Sequence, residues 1–401
     1  MTVWDDLVGQ DHVQEQLGAA ARDADALVTA AAQRTAPPEA SKMTHAWLFT
    51  GPPGSGRVAA ARAFAAALQC VSPDRALGGA PGCGFCDGCH TALIGTHADV
   101  STVAAVGTQI LAEDMRDTVR KSFTSPANGR WQIILVEDAE RLNEKSGNAV
   151  LKAVEEPAPR TVWLLCAPSI EDVLPTIRSR CRQLTLRTPP VEAVADLLVR
   201  RDGIDPQTAA AVSRATQGHI DRARRLATDE RARARRTAVL KVPLRVEDVG
   251  GCLKAAQELV DASAEDAKEI AEEVDAKETE ELKTALGAAA GGRMPRGTAG
   301  IMKDLEDKQK RRKTRAQRDS LDLALTDLTG FYRDVLALQL GSARGLANED
   351  VRDALERVAR SSTPERTLRR IEAVIACRGT LDRNVAPLLA VEAMTMALRE
   401  G

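Results

Sequence analysis

Aromatic residues are scarce in this chain, at 2% of 401 residues with a single tyrosine. The core must therefore be built from Ala, Leu and Val, which suits helices, and broad stacking platforms for nucleic-acid bases are disfavoured. No run of 18 or more apolar residues is present, so no transmembrane helix and no membrane partner are expected. The start, Met1-Thr2-Val3-Trp4-Asp5-Asp6, is acidic and lacks a secretory pattern, which makes a cytoplasmic location the default expectation. The net charge of -2 gives no global attraction to nucleic acid, and any DNA contact needs a local patch or a partner. What is present in quantity is apolar residues, at 44%, in a chain long enough for two or three domains. Eight cysteines in such a chain argue for a metal or isolated thiols rather than a disulfide framework.

Residues 1 to about 187 alternate strand-like and helix-like runs. The strand candidates are Ala46–Thr50, Asp99–Val103, Trp131–Val136, Val162–Ala167 and Gln183–Leu186. They are short and nearly all apolar, as strands of a parallel sheet covered on both faces should be. A doubly wound α/β domain follows, with its ligand site at the carboxyl ends of the strands. Thr188-Pro189-Pro190 breaks the pattern, and nearly everything after it reads as helix. Residues 188–245 form a short helical unit and 246–401 a larger one. Within the latter, Gly287 to Gly300 is Gly/Ala-rich and reads as a flexible loop at about 285–305. Asp23 to Met43, Ala-rich and carrying Pro37-Pro38, reads as another loop. The basic run at 308–318 is read as a solvated helix face beside acidic Glu265 to Glu281, in preference to a nucleic-acid contact.

Gly51-Pro52-Pro53-Gly54-Ser55-Gly56-Arg57-Val58 keeps the G-x-x-x-x-G frame of a phosphate loop. It follows a strand candidate and opens a helical run, Val58 to Leu68, which is the context the motif needs. The chemistry requires a Lys that reaches the β/γ-phosphates and a Ser or Thr hydroxyl on Mg²⁺. Arg57 and Val58 stand there instead, and valine cannot ligate a metal. The strand candidate ending in Val136 is followed by Glu137-Asp138. That is the place of a Walker B motif, here in the order Glu-Asp; a helix N-cap at Asp138 is the plainer reading. Lys145 to Pro157 reads as an amphipathic helix closed by proline.

Cys83, Cys86 and Cys89 lie at C-x-x-C-x-x-C spacing, and Cys70 supplies a fourth thiol. Four thiolates make a closed structural zinc site with no open position for catalysis. An iron–sulfur cluster is the lesser alternative, and His90 or His97 are alternatives to Cys70 as the fourth ligand. Cys166, Cys252 and Cys377 sit in apolar surroundings and read as core. Ser179-Arg180-Cys181 places an arginine on the loop before the last strand. On position alone it reads as an ordinary surface arginine.

Together these residues resemble the clamp-loader branch of the AAA+ ATPases, nearest to its delta-prime type in an actinobacterial form. The resemblance is carried by Trp4-Asp5-Asp6-Leu7-Val8-Gly9-Gln10, His45 to Pro52, the four cysteines, Thr96 to Val100, Glu137 to Leu142, Leu151 to Pro157 and Ser179-Arg180-Cys181. It covers residues 1 to about 225. It implies an AAA+ module with a five-stranded parallel sheet, a zinc module inserted at about 70–90, a helical lid and an all-α collar that oligomerises. It also implies that Arg180 is an arginine finger, reaching the γ-phosphate of ATP on a neighbouring subunit. Implied partners are delta and gamma/tau subunits in a hetero-oligomer, with the sliding clamp and primed DNA reached through the complex.

Several losses point away from hydrolysis. Arg57 and Val58 replace the P-loop Lys and hydroxyl, the sensor-1 position falls on Ala167 or Pro168, and the sensor-2 position falls on Asp221 beside Arg222. The partly kept frame of Gly51, Gly54, Ser55, Gly56 and Arg57 leaves weak nucleotide binding open. The expectation is a subunit without intrinsic ATPase that serves a neighbour's ATP. The competing expectations are a gamma/tau-type ATPase and a zinc-dependent nucleic-acid-binding protein.

Overall fold

The five apolar runs form five strands, all parallel: β1 Ala46–Thr50, β2 Val100–Val103, β3 Gln132–Val136, β4 Thr161–Ala167 and β5 Arg182–Thr185. Each boundary falls within one residue of its expected place. The computed structural model describes residues 2–36, 40–73, 81–105, 109–127, 129–285, 299–342, 345–383 and 385–401. The strand order is β2-β3-β4-β1-β5, so the chain leaves the sheet interior after β1 and returns from its edge. β1, β3 and β4 are buried along their whole length, which is why their sequences do not alternate.

Helices cover both faces of this sheet. In chain order they are α1 Asp11–Gln33, α2 Arg57–Leu68, α3 Asp87–Ile94, α4 Ala112–Ser122, α5 Glu144–Glu155 and α6 Pro175–Arg178. After β5 come α7 Val191–Asp202, α8 Pro206–Ala215 and α9 Ile220–Thr228. One face buries Trp47, Phe49, Phe64, Leu17 and Leu164; the other buries Leu48, Ile134, Met115, Trp163 and Ile177. Trp47 and Phe64 meet edge to face at 5.2 Å, so two of the few rings are spent where β1 meets α2. The fold is thus an α/β module with a parallel five-stranded sheet and helices on both faces, as expected.

Two expectations are corrected here. The loop expected from Asp23 begins later, because α1 runs to Gln33. Its buried Val13, Leu17, Ala20, Ala21 and Ala24 recur at helical spacing, and alanine is the best helix former; Pro37-Pro38 lie outside the described residues. Asp138 does not cap a long helix. Only a single 3₁₀ turn, Ala139–Arg141, follows it. The cap belongs to Asn143, whose side chain accepts from the N–H groups of Lys145 and Ser146 while Ser146 answers from the third position.

The chain divides into two units, residues 1–105 with 109–224 and residues 225–401. The second unit is helical, with α10 Glu230–Leu240, α11 Val249–Ala285, α12 Ala299–Gln339, α13 Arg352–Ser361, α14 Pro364–Asp382 and α15 Pro387–Glu400. Its core gathers Leu321, Leu325, Leu328, Phe331, Tyr332, Val374 and Leu398. Cys252 and Cys377 are buried there, and Cys166 in the first unit, as expected of core thiols. Of the loop expected at about 285–305, residues 299–305 are helical because α12 begins at Ala299; residues 286–298 lie outside the described residues. The basic run lies on α12 and faces the acidic part of α11. Arg312 bonds Asp275 and Glu278, each at 2.8 Å, which agrees with the solvated-face reading. Among the described residues, no helix is long and apolar enough to cross a membrane.

Candidate functional site: a phosphate loop, a thiol cluster and a surface arginine

The phosphate loop leaves β1 at the carboxyl edge of the sheet. Gly51 N–H donates to Pro168 O at 3.2 Å, just beyond the end of β4. Gly51, Gly54 and Gly56 all have positive φ, at 152°, 84° and 83°, so the frame read from the sequence is a real turn that L side chains resist. Gln10, buried at 1% exposure, braces it from the N-terminal segment. Its Nε2 donates to Ser55 O at 3.3 Å and to Arg187 O, while its Oε1 accepts from Arg187 N–H. Gln10 closes the Trp4–Gln10 motif, and its bracing role joins two segments that are distant from it in sequence.

The positions that would serve Mg²⁺ and phosphate are occupied by the chain's own groups. Arg57 opens α2 and folds back, so that its Nη1 donates to Gly51 O. Burial lowers its pKa, against the pull of Glu140, Cys166, Asp138 and Asp172. Val58 beside it packs on the core. Glu137 is bridged by Arg62, one turn further along α2, at 2.7 Å. Asp138 accepts the Ala105 N–H at 2.9 Å. Ser55 Oγ is buried with no hydrogen-bond partner among the described residues, so the cradle still has one spare polar group. The glycines and Ser55 fit a phosphate. The Arg62–Glu137 bridge and Val58 do not fit a Mg²⁺ ion, and no metal-assisted step is assigned to this loop.

His219 closes the loop from the other side. A methyl group built on Gly54 would lie 2.8–2.9 Å from the His219 ring, so glycine is required by packing as well as by φ. Burial lowers the His219 pKa below its ordinary 6.5, with the Arg222 charge acting the same way and Asp221 opposing. The expected sensor-2 position, Asp221, is thus preceded by the residue that touches the loop.

The thiol cluster assembles as the spacing predicts. One sulfur each from Cys70, Cys83, Cys86 and Cys89 lies within 4.8 Å of the others. Cys70 follows α2, Cys89 lies in the first turn of α3, and the others sit in the turn between. Gly88 is there because a Cβ would lie 2.0 Å from Gln69 O. Backbone N–H groups of Val71 and Cys86 point at the sulfurs of Cys86 and Cys83, both at 3.4 Å, and such donors stabilise thiolates. Trp4 Nε1 donates to Pro81 O at 3.1 Å, which ties the N-terminal segment to the cluster's edge. The Cys89 hydrogen bond lowers the Cys70 pKa, and the same bond raises that of Cys89. Four thiols converging this closely offer a closed set of sulfur donors, so the cluster can hold a metal. His97 does not approach it: His97 Nδ1 accepts from Asp99 N–H at 3.1 Å.

Arg180 lies between α6 and β5. Its side chain is 37% exposed and meets Glu155, the last residue of α5. Beside it, burial pushes the Cys181 thiol up to about 12. The structure therefore keeps the phosphate loop, Glu137 and Asp138 at one sheet edge and displays Arg180 at the surface of the same unit.

The His219 contact has a pH consequence. Below 6.5 the unfolded chain takes up a proton that the folded chain resists, so stability falls as pH drops through 6.5 and levels off only below the folded value. In H219N, melting temperatures at about pH 7.5 and about pH 5.5 should differ less than in the parent chain. An equal difference in both would show that His219 does not titrate in this way.

Residues 31–190 match the family model described as DNA polymerase III, delta subunit. The delta' subunit of Pseudomonas aeruginosa is 37% identical over 158 residues, which are 39% of this chain and 47% of that protein. The delta' subunit of Escherichia coli K12 is 32% identical over 201 residues, 50% of this chain and 59% of that one. The gamma/tau subunit of Mycobacterium bovis is 29% identical over 196 residues, 49% of this chain and 30% of that protein. The matched stretch thus spans between about a third and three fifths of these relatives. Over about half of its length the chain is thus similar to delta' and gamma/tau subunits of DNA polymerase III, and these matches fall on the parallel sheet and the phosphate loop.

Proposed function

We propose that this chain is a non-hydrolysing, delta-prime-type subunit of a clamp loader. In this reading it joins delta and gamma/tau subunits in a hetero-oligomer and donates Arg180 to ATP held by a neighbour. The complex would then load a sliding clamp on primed DNA. The observation that carries the reading is the state of the chain's own site. Arg57 is turned onto Gly51 O, Glu137 is bridged by Arg62, and Val58 replaces the metal-binding hydroxyl. A chain whose own ATP chemistry is blocked by its own side chains, yet which presents a solvent-facing arginine before β5, is equipped to act on another subunit's nucleotide. Arginine fingers of this kind stabilise transition-state charge and are worth ~10³–10⁵ in rate.

A gamma/tau-type ATPase is the competing reading, since relatives of both types match. It needs a working Mg²⁺ site, and the Arg62–Glu137 bridge counts against it. A nucleic-acid-binding protein is disfavoured because Arg312 of the basic run is spent on Asp275 and Glu278.

We read the metal of the thiol cluster as structural zinc. A tetrahedron of Zn–S bonds of about 2.3 Å has edges of about 3.8 Å. The Cys83–Cys89 and Cys70–Cys86 sulfur separations are each 4.0 Å, and all four sulfurs lie within 4.8 Å of one another, so a contraction of at most about 1 Å completes it. The closed donor set gives zinc a folding role and no catalytic one.

Two measurements check the reading. The purified chain alone should show no Mg²⁺-dependent ATP turnover, and R180A should lower the ATPase of the reconstituted complex by at least about tenfold without preventing assembly. Turnover by the chain alone would favour the gamma/tau reading, and normal activity of the R180A complex would remove the finger. Metal analysis should find one zinc per chain, lost in C86S together with thermal stability. Iron in its place, or metal retained in C86S, would overturn the zinc site.

A further inference from the structure

Arg180 is held in place by three groups of its own chain. Its Nε donates to Glu155 Oε1 at 2.5 Å, and its Nη2 rests on the same oxygen. Its Nη1 donates to Thr176 O at 2.6 Å and to Ser179 Oγ at 3.2 Å. One edge of the guanidinium is therefore fixed by the end of α5, and the Nη1 end by the turn of α6.

Stability does not account for the Glu155 contact. The two side chains are 37% and 43% exposed, and ion pairs this open to water add little to folding. Glu155 also stands in an electrostatically poor place. It is the last residue of α5 and is followed by Glu156, where the helix dipole disfavours negative charge. An acidic residue at that end is explained by what it touches.

We propose that Glu155 is the positioning residue of Arg180. It fixes the direction and plane of the guanidinium before any partner arrives. An arginine finger must present its donors to a phosphate with correct geometry, and a free arginine side chain carries much rotamer entropy. Ordering it in advance moves that cost out of the transition state of the trans reaction. Glutamate suits the task because a charged acceptor makes bonds roughly twice as strong as a neutral one. The Ser179 Oγ contact is the longest of the set, and an arriving phosphate oxygen displaces it most readily. This inference rests on the reading of Arg180 as a finger in trans.

The test uses the reconstituted complex with parent, E155A, E155Q, R180A and the double variant E155A/R180A. E155A should lower kcat for ATP about 3- to 10-fold, with KM unchanged, and E155Q should fall between E155A and the parent, since an amide oxygen still accepts. In the R180A background, E155A should cost nothing further, because Glu155 acts only through Arg180. In the isolated chain, the Arg180 Nε–H should give a distinct, slowly exchanging NMR signal that collapses toward the solvent-exposed arginine position in E155A. Melting temperature should be nearly the same in the parent and E155A. If R180A itself leaves the ATPase intact, the underlying finger reading fails. If R180A lowers the rate but E155A is silent, raises the rate, or adds its full cost on top of R180A, Glu155 is not the positioning residue.

Discussion

The turn from β1 into α2 is the constraint on which the rest of the first unit depends. Gly51 is hydrogen-bonded to Pro168 at the end of β4, Gln10 ties Ser55 to Arg187 beyond β5, and His219 packs on Gly54. Residues from the N-terminal segment, the sheet and the start of α9 thus converge on six or seven residues of loop. Each contact removes freedom from a backbone that already needs positive φ at three glycines. A loop fixed so completely keeps its shape even where the residues that would use that shape for chemistry have been replaced.

Replacement has been by cations of the chain's own. Where a nucleotide site would take up Mg²⁺, two arginines from α2 meet the backbone of the loop and the carboxylate of Glu137. Arg57 and Arg62 are five residues apart on one helix, so a single element delivers both charges to the carboxyl edge of the sheet. The carboxylate is thereby paired without a metal, and the half-buried guanidinium of Arg57 is satisfied by a carbonyl. In the reading proposed above, this arrangement preserves a folded module while withdrawing it from hydrolysis. Arg180, by contrast, is placed on the surface by the short α6 turn and steadied by Glu155.

Much of the site was legible because its parts are local. The Gly51–Gly56 frame, the C-x-x-C-x-x-C run and the strand ending at Val136 each lie within a few residues, and spacing alone predicts their form. The core strands were legible for the same reason, since burial on both faces leaves unbroken apolar runs. What was missed is non-local or depends on competition. Asp138 gave up its cap role because the Ala105 N–H, more than thirty residues away, claims its carboxylate. The helix through Asp23 to Gln33 was missed because alanine is a weak hydrophobic marker, although Val13, Leu17, Ala20 and Ala24 carry the period. Pro37-Pro38 drew the loop too far toward the N-terminus.

The sequence by itself determined the parallel sheet, the loop frame, the four thiols and the loss of Lys and hydroxyl at Arg57 and Val58. These follow from side-chain chemistry at fixed positions. Only the tertiary structure decided what fills the vacated roles: Arg57 on Gly51 O, Arg62 on Glu137, His219 on Gly54 and Glu155 on Arg180. Except for Arg57, these pairings join residues from different elements. The direction a charged side chain takes is set by which oppositely charged or polar group the fold brings within about 3 Å, and a linear pattern holds no record of that.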